Sequence, residues 1–288
     1  MKNRMRYMIL ALAGVLTLTA ACQREDLLPA DNAPEGYRTI EFYAEVPGME
    51  EVMTKAVDPD GAGVQQMTVF CFDQNSFFIT TVTATLTQDA GNPSLSGKFS
   101  VAVPDHSVTL QLVGNQNLTY FKEDNYRGMS EVDVMAALES SPGRMIYWAR
   151  ETVESIKTHT TAANAIKLLR NQAKITLNIA DGVNFEEQGW VVVNSNSFGT
   201  VAPYSPEHGG FVAPTLDAPF ITLPDNNAKL GDYLDVRTND EEYIFETENS
   251  DADPIDFIVK GSQNGGESLY YRVSLIDENG DNVLIMRN

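Results

Sequence analysis

The sequence is poor in the residue types that build reactive centres. Among 288 residues there are two cysteines, Cys22 and Cys71, and three histidines, His106, His159 and His208. The histidines stand far apart in the chain without ligand-like neighbours and read as surface or loop residues. No GxSxG elbow, glycine-rich phosphate loop or HExxH pair occurs. Basic residues are also scarce: 20 Lys and Arg stand against 40 Asp and Glu, a formal charge of −20. Beyond the first few residues no basic cluster exists to meet a phosphate backbone, which argues against nucleic acid as a partner. The acidic residues are spread along the chain, so no catalytic pair stands out. Asp58-Pro59-Asp60-Gly61 and Asp277-Glu278-Asn279-Gly280-Asp281 place their glycines wrongly for a calcium loop and read as hairpin turns. No cofactor, metal or catalytic site is expected, and the chain is not expected to be an enzyme.

What is present begins at the N-terminus. Lys2, Arg4 and Arg6 precede an apolar run from Met8 to Leu18, too short for a comfortable transmembrane span. The run ends in Leu18-Thr19-Ala20-Ala21-Cys22, small residues before a cysteine, which is the pattern of a bacterial lipobox. Residues 1–21 read as a lipoprotein signal peptide and Cys22 as the acylated first residue of the mature chain. Two or three acyl chains there would anchor the chain stably to a membrane, as a single one would not. Cleavage removes three basic groups and no acid, so the mature chain is more acidic still. Residues 22–38, rich in proline and acids, read as a tether. Cys71, inside the apolar VFCFD, reads as a small buried hydrophobe.

From Thr39 to Val46 the chain alternates strictly. Ile40, Phe42, Ala44 and Val46 fall on one face, Thr39, Glu41, Tyr43 and Glu45 on the other, as in a half-buried strand. Further strands are predicted near 67–73, 78–86, 97–103 and 108–113, separated by turn residues. Ser130 reads as the cap of a helix carrying Val134, Met135 and Leu138. A segment near 162–168 fits either a helical turn or an extended stretch. The strand pattern restarts at Ala173, Ile175, Leu177 and Ile179, then continues at 190–193, 220–223, 243–247, 257–259 and 269–276. Composition, a 43% hydrophobic share and strand spacing predict an all-β protein with a minor helix, built as antiparallel sandwiches. The two runs of strands place a boundary near residue 165, giving domains 39–165 and 166–288.

Several stretches resemble the fimbrillins, the lipoprotein-derived pilus subunits of Bacteroidales. The lipobox at Cys22 fits, and Met67-Thr68-Val69-Phe70-Cys71-Phe72 is similar to the family's second strand. Leu168-Leu169-Arg170-Asn171-Gln172-Ala173-Lys174-Ile175-Thr176-Leu177 resembles the strand that opens the second domain. Val193-Asn194 with Gly199-Thr200-Val201-Ala202-Pro203, then Tyr243-Ile244-Phe245-Glu246-Thr247-Glu248-Asn249, follow in the family's order. Tyr270-Tyr271-Arg272-Val273 and Met286-Arg287-Asn288 complete it. The resemblance covers most of the mature chain and implies two tandem transthyretin-like sandwich domains. It also implies assembly: a surface lipoprotein is cut by a trypsin-like protease after a basic residue behind the first strand, the strand leaves, and a strand of another subunit takes its place. Here that residue is Lys55, before Ala56, where the family usually has arginine. The family usually continues past its Arg-Asn with further strands, including the donor segment; this sequence stops at Asn288, either as a truncated version or with its second domain finished differently, and a subunit without a donor strand is expected to accept a strand and not to donate one.

On the residues alone, 39–46 fits a permanent edge strand and Lys55 a solvated loop residue; the resemblance favours a removable one. The resemblance implies an outer-membrane and fimbrial location. The partners it implies are other fimbrial subunits, the membrane through Cys22, and a host or bacterial surface ligand. The alternative is a monomeric outer-membrane lipoprotein serving as an anchor or accessory module, or capturing glycans through aromatics such as Trp148 or Tyr204. Trp148 and Trp190 equally fit core packing.

Overall fold

In a computed structural model the structure describes residues 33–47, 63–88, 96–224, 228–231, 236, 238, 241–252 and 254–287. The expectations for Cys22, Lys55 and Ala56 lie outside these residues.

The chain is all-β with short helices. The first half holds β1 (Tyr37–Glu45), β2 (Met67–Phe72), β3 (Phe78–Gln88), β4 (Ser96–Pro104) and β5 (Thr109–Gly114). After a 3₁₀ turn at Glu123–Asn125 come α1 (Glu131–Ala136), β6 (Glu139–Ser140), β7 (Tyr147–Thr152), α2 (Val153–Ile156), a second 3₁₀ turn at Ala162–Asn164, β8 (Ile166–Lys167) and β9 (Leu169–Arg170). The sheet order is β8-β1-β4-β3-β2-β5-β7-β9. β3 pairs with β2 through Ala84 and with β4 from Thr85, so one long strand passes from one layer to the next. Between the layers lies one apolar core drawn from β1, β2, β4, β5, β7 and β8. The sheet continues to Arg170, past the boundary expected at residue 165. The short β1–β8 pair is parallel, within pairing that is otherwise antiparallel.

β2 and β5 are buried along their whole lengths because the outer face of their layer is covered too. Phe70, Phe72, Val113 and Trp148 pack there against Val134, Met135 and Leu138 of the α1 region. α1 starts as its sequence predicts: the Asp133 N–H donates to Ser130 Oγ at 3.2 Å. The segment near 162–168 takes both forms in turn, a 3₁₀ turn and then the extended β8.

The second half holds β10 (Ala173–Thr176), β11 (Phe185–Val193), β12 (Ser195–Asn196), β13 (Gly199–Thr200), β14 (Tyr204–Ser205), β15 (Gly210–Phe211), β16 (Lys229–Leu230), β17 (Glu241–Ile244), β18 (Asp256–Gln263) and β19 (Ser268–Ser274). β10 pairs with β17, facing the sheet β11-β18-β19 across a core of Ile175, Trp190, Val192, Ile244, Phe257 and Val259. β13 pairs with β6, and Val201 and Ala202 join the aromatic cluster on the first half. The strand expected at 220–223 is absent there. Pro219 and Pro224 bracket the segment without backbone N–H groups to donate, and Thr222 is drawn into side-chain bonds instead. The turn expected at Asp277 forms, with Asp277 N–H donating to Asp281 O at 2.8 Å and Gly280 at φ +88°.

Candidate functional site

The site is β1 with the slot that holds it. Strict alternation sends Ile40, Phe42, Ala44 and Val46 into the core, where all four are buried. Thr39 and Glu41 are exposed, and Tyr43 and Glu45 are half-buried. On one edge β1 makes nine antiparallel pairs with β4, from Tyr37↔Pro104 to Glu45↔Ser96. On the other edge the pairing is short: Ala44↔Ile166 and Glu45↔Lys167, parallel, with the Leu168 N–H donating to Glu45 O at 2.8 Å. The Tyr43 N–H also donates to His159 O at 2.8 Å. Toward its start β1 is therefore close to an edge strand; toward its end it is clamped by residues 159–168.

The outer face carries ion pairs. Lys98 Nζ lies 2.7 Å from Glu41 Oε2, and Lys167 pairs with Glu45. The hydrogen bond to Glu41 holds the Lys98 ammonium above the usual lysine range. Pairs this exposed contribute little; the inner face decides the energy. Burying Ile40, Phe42 and Val46 contributes about 1.5–3 kcal/mol each, a large share of the roughly 5–15 kcal/mol that holds a domain together.

Beside β1, on the same inner face, stand Phe99, Val101 and Val103 of β4, and Met67, Val69 and Cys71 of β2 join them in the core. The Cys71 thiol is wholly buried, and loss of water pushes its pKa up to about 12. It behaves as the small hydrophobe expected.

Among the described residues no His, Cys, Asp and Glu side chains gather in a metal-holding group. His106 and His208 are exposed; His159 is half-buried, its Nδ1 2.7 Å from Asn164 O. No helix among the described residues is long and apolar enough to cross a membrane. Trp148 does not serve as a sugar platform. It is 5% exposed, packs under α1, and its Nε1–H donates to Gln111 Oε1. Trp190 is buried against Phe257. Tyr204 is half-buried edge-on to Phe211.

The stretches that carried the fimbrillin resemblance converge on packing. Glu246, Thr200, Val201 and Arg287 meet in one buried cluster: Arg287 Nη2 lies 2.7 Å from Glu246 Oε2 and from Thr200 Oγ1, and Nη1 donates to Val201 O at 2.9 Å. Asn249 donates to Leu275 O and Val283 O, both at 3.0 Å, tying the tail to β19's end. Asn171 Oδ1 accepts from the Ile146 N–H at 3.0 Å. Gly199 has to be glycine because a Cβ there would sit 2.1 Å from the Phe245 ring.

No family model and no curated protein matches the chain. Among solved structures it is similar to a candidate cell adhesion protein of Parabacteroides distasonis, with TM-score 0.51 and 14% identity over 87% of this chain and 85% of that one. The two share a fold, which is consistent with the resemblance to the fimbrillins. The tip fimbrial protein Mfa3 of Porphyromonas gingivalis, with a C-terminal truncation, aligns at TM-score 0.48 and 14% identity, over 84% and 82% of the two chains. A fimbrial assembly protein of Parabacteroides distasonis aligns at 0.47 and 13%, over 87% and 88%.

Proposed function

We propose that this chain is a cell-surface fimbrial or adhesion subunit that joins its neighbours by giving up β1 and taking a strand from another subunit in its place. One observation carries the reading: β1 fills an apolar slot with four side chains, yet only β4 holds it along its whole length. A strand so placed leaves behind a row of unpaired backbone groups over a greasy floor, which any matching strand would refill. The shared fold with a candidate cell adhesion protein supports a surface role.

On this reading the chain is made as an outer-membrane lipoprotein acylated at Cys22 and is cut between Lys55 and Ala56. Anchor and strand lie on the same excised piece, so one cut frees the subunit and opens the slot. The chain is read as two tandem transthyretin-like units, with β8 and β9 packed on the first.

The test is the N-terminal residue of the protein recovered from the cell surface in assembled form. Ala56 is expected. Assembled material that begins at an acylated Cys22 would contradict strand removal.

A further inference from the structure

β1 cannot swing sideways out of its slot while residues 157–168 stay where they are. β8 lies along its second edge at Ala44 and Glu45, and the 3₁₀ turn Ala162–Asn164 lies against both β1 and β4. Before Ala44 no described strand pairs with that edge. Sliding out lengthwise instead would break all nine pairs with β4 at once and drag the buried ring of Phe42 through the core. Lifting residues 157–168 is the cheaper route. It breaks the bonds from Tyr43 N–H to His159 O and from Leu168 N–H to Glu45 O, undoes the short β1–β8 pairing and uncovers Ile166.

The segment is built to move as one piece. It is pinned at its two ends by the buried side chains of Ile156 and Leu168; between them residues 157–164 are exposed apart from half-buried His159. Stretches with so little buried surface open locally at low cost. Its shape is braced from inside. His159 Nδ1 donates to Asn164 O at 2.7 Å, Asn164 Nδ2 donates to Thr158 O at 2.9 Å, and the Asn164 N–H donates to Thr161 O at 3.0 Å. Its polar holds on β1 go to backbone atoms, apart from Lys167 on Glu45. Backbone holds suit any strand in the same register.

We infer that residues 157–168 are a strap that gates β1. It opens to let the strand out, sets how fast that happens, and closes again on the strand that takes its place. This rests on the exchange of β1 proposed above and adds what controls its rate.

A Cys22→Ser chain carrying a site for a sequence-specific protease in place of residues 54–57 tests it. After the cut, an excess of fluorescent peptide spanning Tyr37–Val46 is added, and its uptake reads the departure of β1. His159→Ala and Asn164→Ala each remove one brace and are expected to speed uptake about fivefold, as the loss of one hydrogen bond implies. Thr161→Ala, at an exposed residue whose side chain makes no hydrogen bond, is expected to leave uptake unchanged. Amide exchange should quicken at Tyr43 and Leu168 in both brace variants and stay slow along β4. Should one brace variant misfold, the other carries the test. Uptake as slow in the brace variants as in the parent, or equal quickening in Thr161→Ala, would overturn the strap while leaving the exchange intact. No uptake by any cut chain, the parent included, would overturn the exchange itself and the strap with it.

Discussion

Phe42 and Phe99 stand directly opposite one another on β1 and β4, and their rings stack at 5.5 Å between centroids with 15° between planes. The contact joins the first strand to its slot on the buried face. Phe42→Ala is expected to cost about 3–5 kcal/mol in denaturant unfolding of the intact chain. A double-mutant cycle with Phe99→Ala should return a coupling of about 0.5–1.5 kcal/mol. Additive losses would mean that the rings do not hold the strand together.

Cys71 reports on the same slot from the opposite layer. Its thiol is sealed in the core that β1 completes, with a pKa near 12, so in a Cys22→Ser chain it is expected to resist iodoacetamide at pH 8. A chain beginning at Ala56 is expected to be alkylated, as counted by mass spectrometry. Equal protection in both chains would show that β1 does not close the core.

The buried pair of Arg287 and Glu246 fixes the tail. Removing one partner leaves the other charge buried and unpaired, so Arg287→Met or Glu246→Gln alone is expected to cost about 3–5 kcal/mol. Replacing both with apolar residues should cost far less. Thermal unfolding of the three variants distinguishes a stabilising pair from one that is merely compensated.

Acid sensitivity should have a local source at Glu123. Burial pushes its carboxyl up, but hydrogen bonds from Thr80 and Thr81 and the charge of Arg127 pull it further down, so its pKa stays below the usual carboxylate range. A folded pKa below the unfolded one means that this stabilisation is full above the unfolded value. It is lost as pH falls through the folded one. Glu123→Gln is therefore expected to flatten the decline in stability below about pH 4, measured by denaturant titration at several pH values. An unchanged acid limb would place the sensitivity elsewhere.

Much of this was readable in the residues, for reasons that also explain what was not. β1 was visible because one of its faces is wet, so apolar and polar residues alternate; the Ser130 cap was visible because its partner stands three residues on. β7 was not expected. Tyr147 and Ala149 face one core while Ile146 and Trp148 face the other, which erases the alternation. The cluster that pins α1 was also hidden: Glu131 accepts from Gln111 at 2.7 Å and from Arg150 at 2.8 Å, residues about twenty positions away on each side. Arg287 and Glu246 are 41 positions apart, and only folding brings them together. The slot's composition was legible on the β1 side alone, because its floor comes from strands whose pairing no local pattern encodes.

The most direct measurement is the solution state of a chain beginning at Ala56, followed by light scattering with and without a peptide spanning Tyr37–Val46. The account predicts that this chain self-associates and melts well below the intact one, and that the peptide restores the monomer. A chain from Ala56 that stays monomeric and as heat-resistant as its parent, indifferent to the peptide, would contradict it.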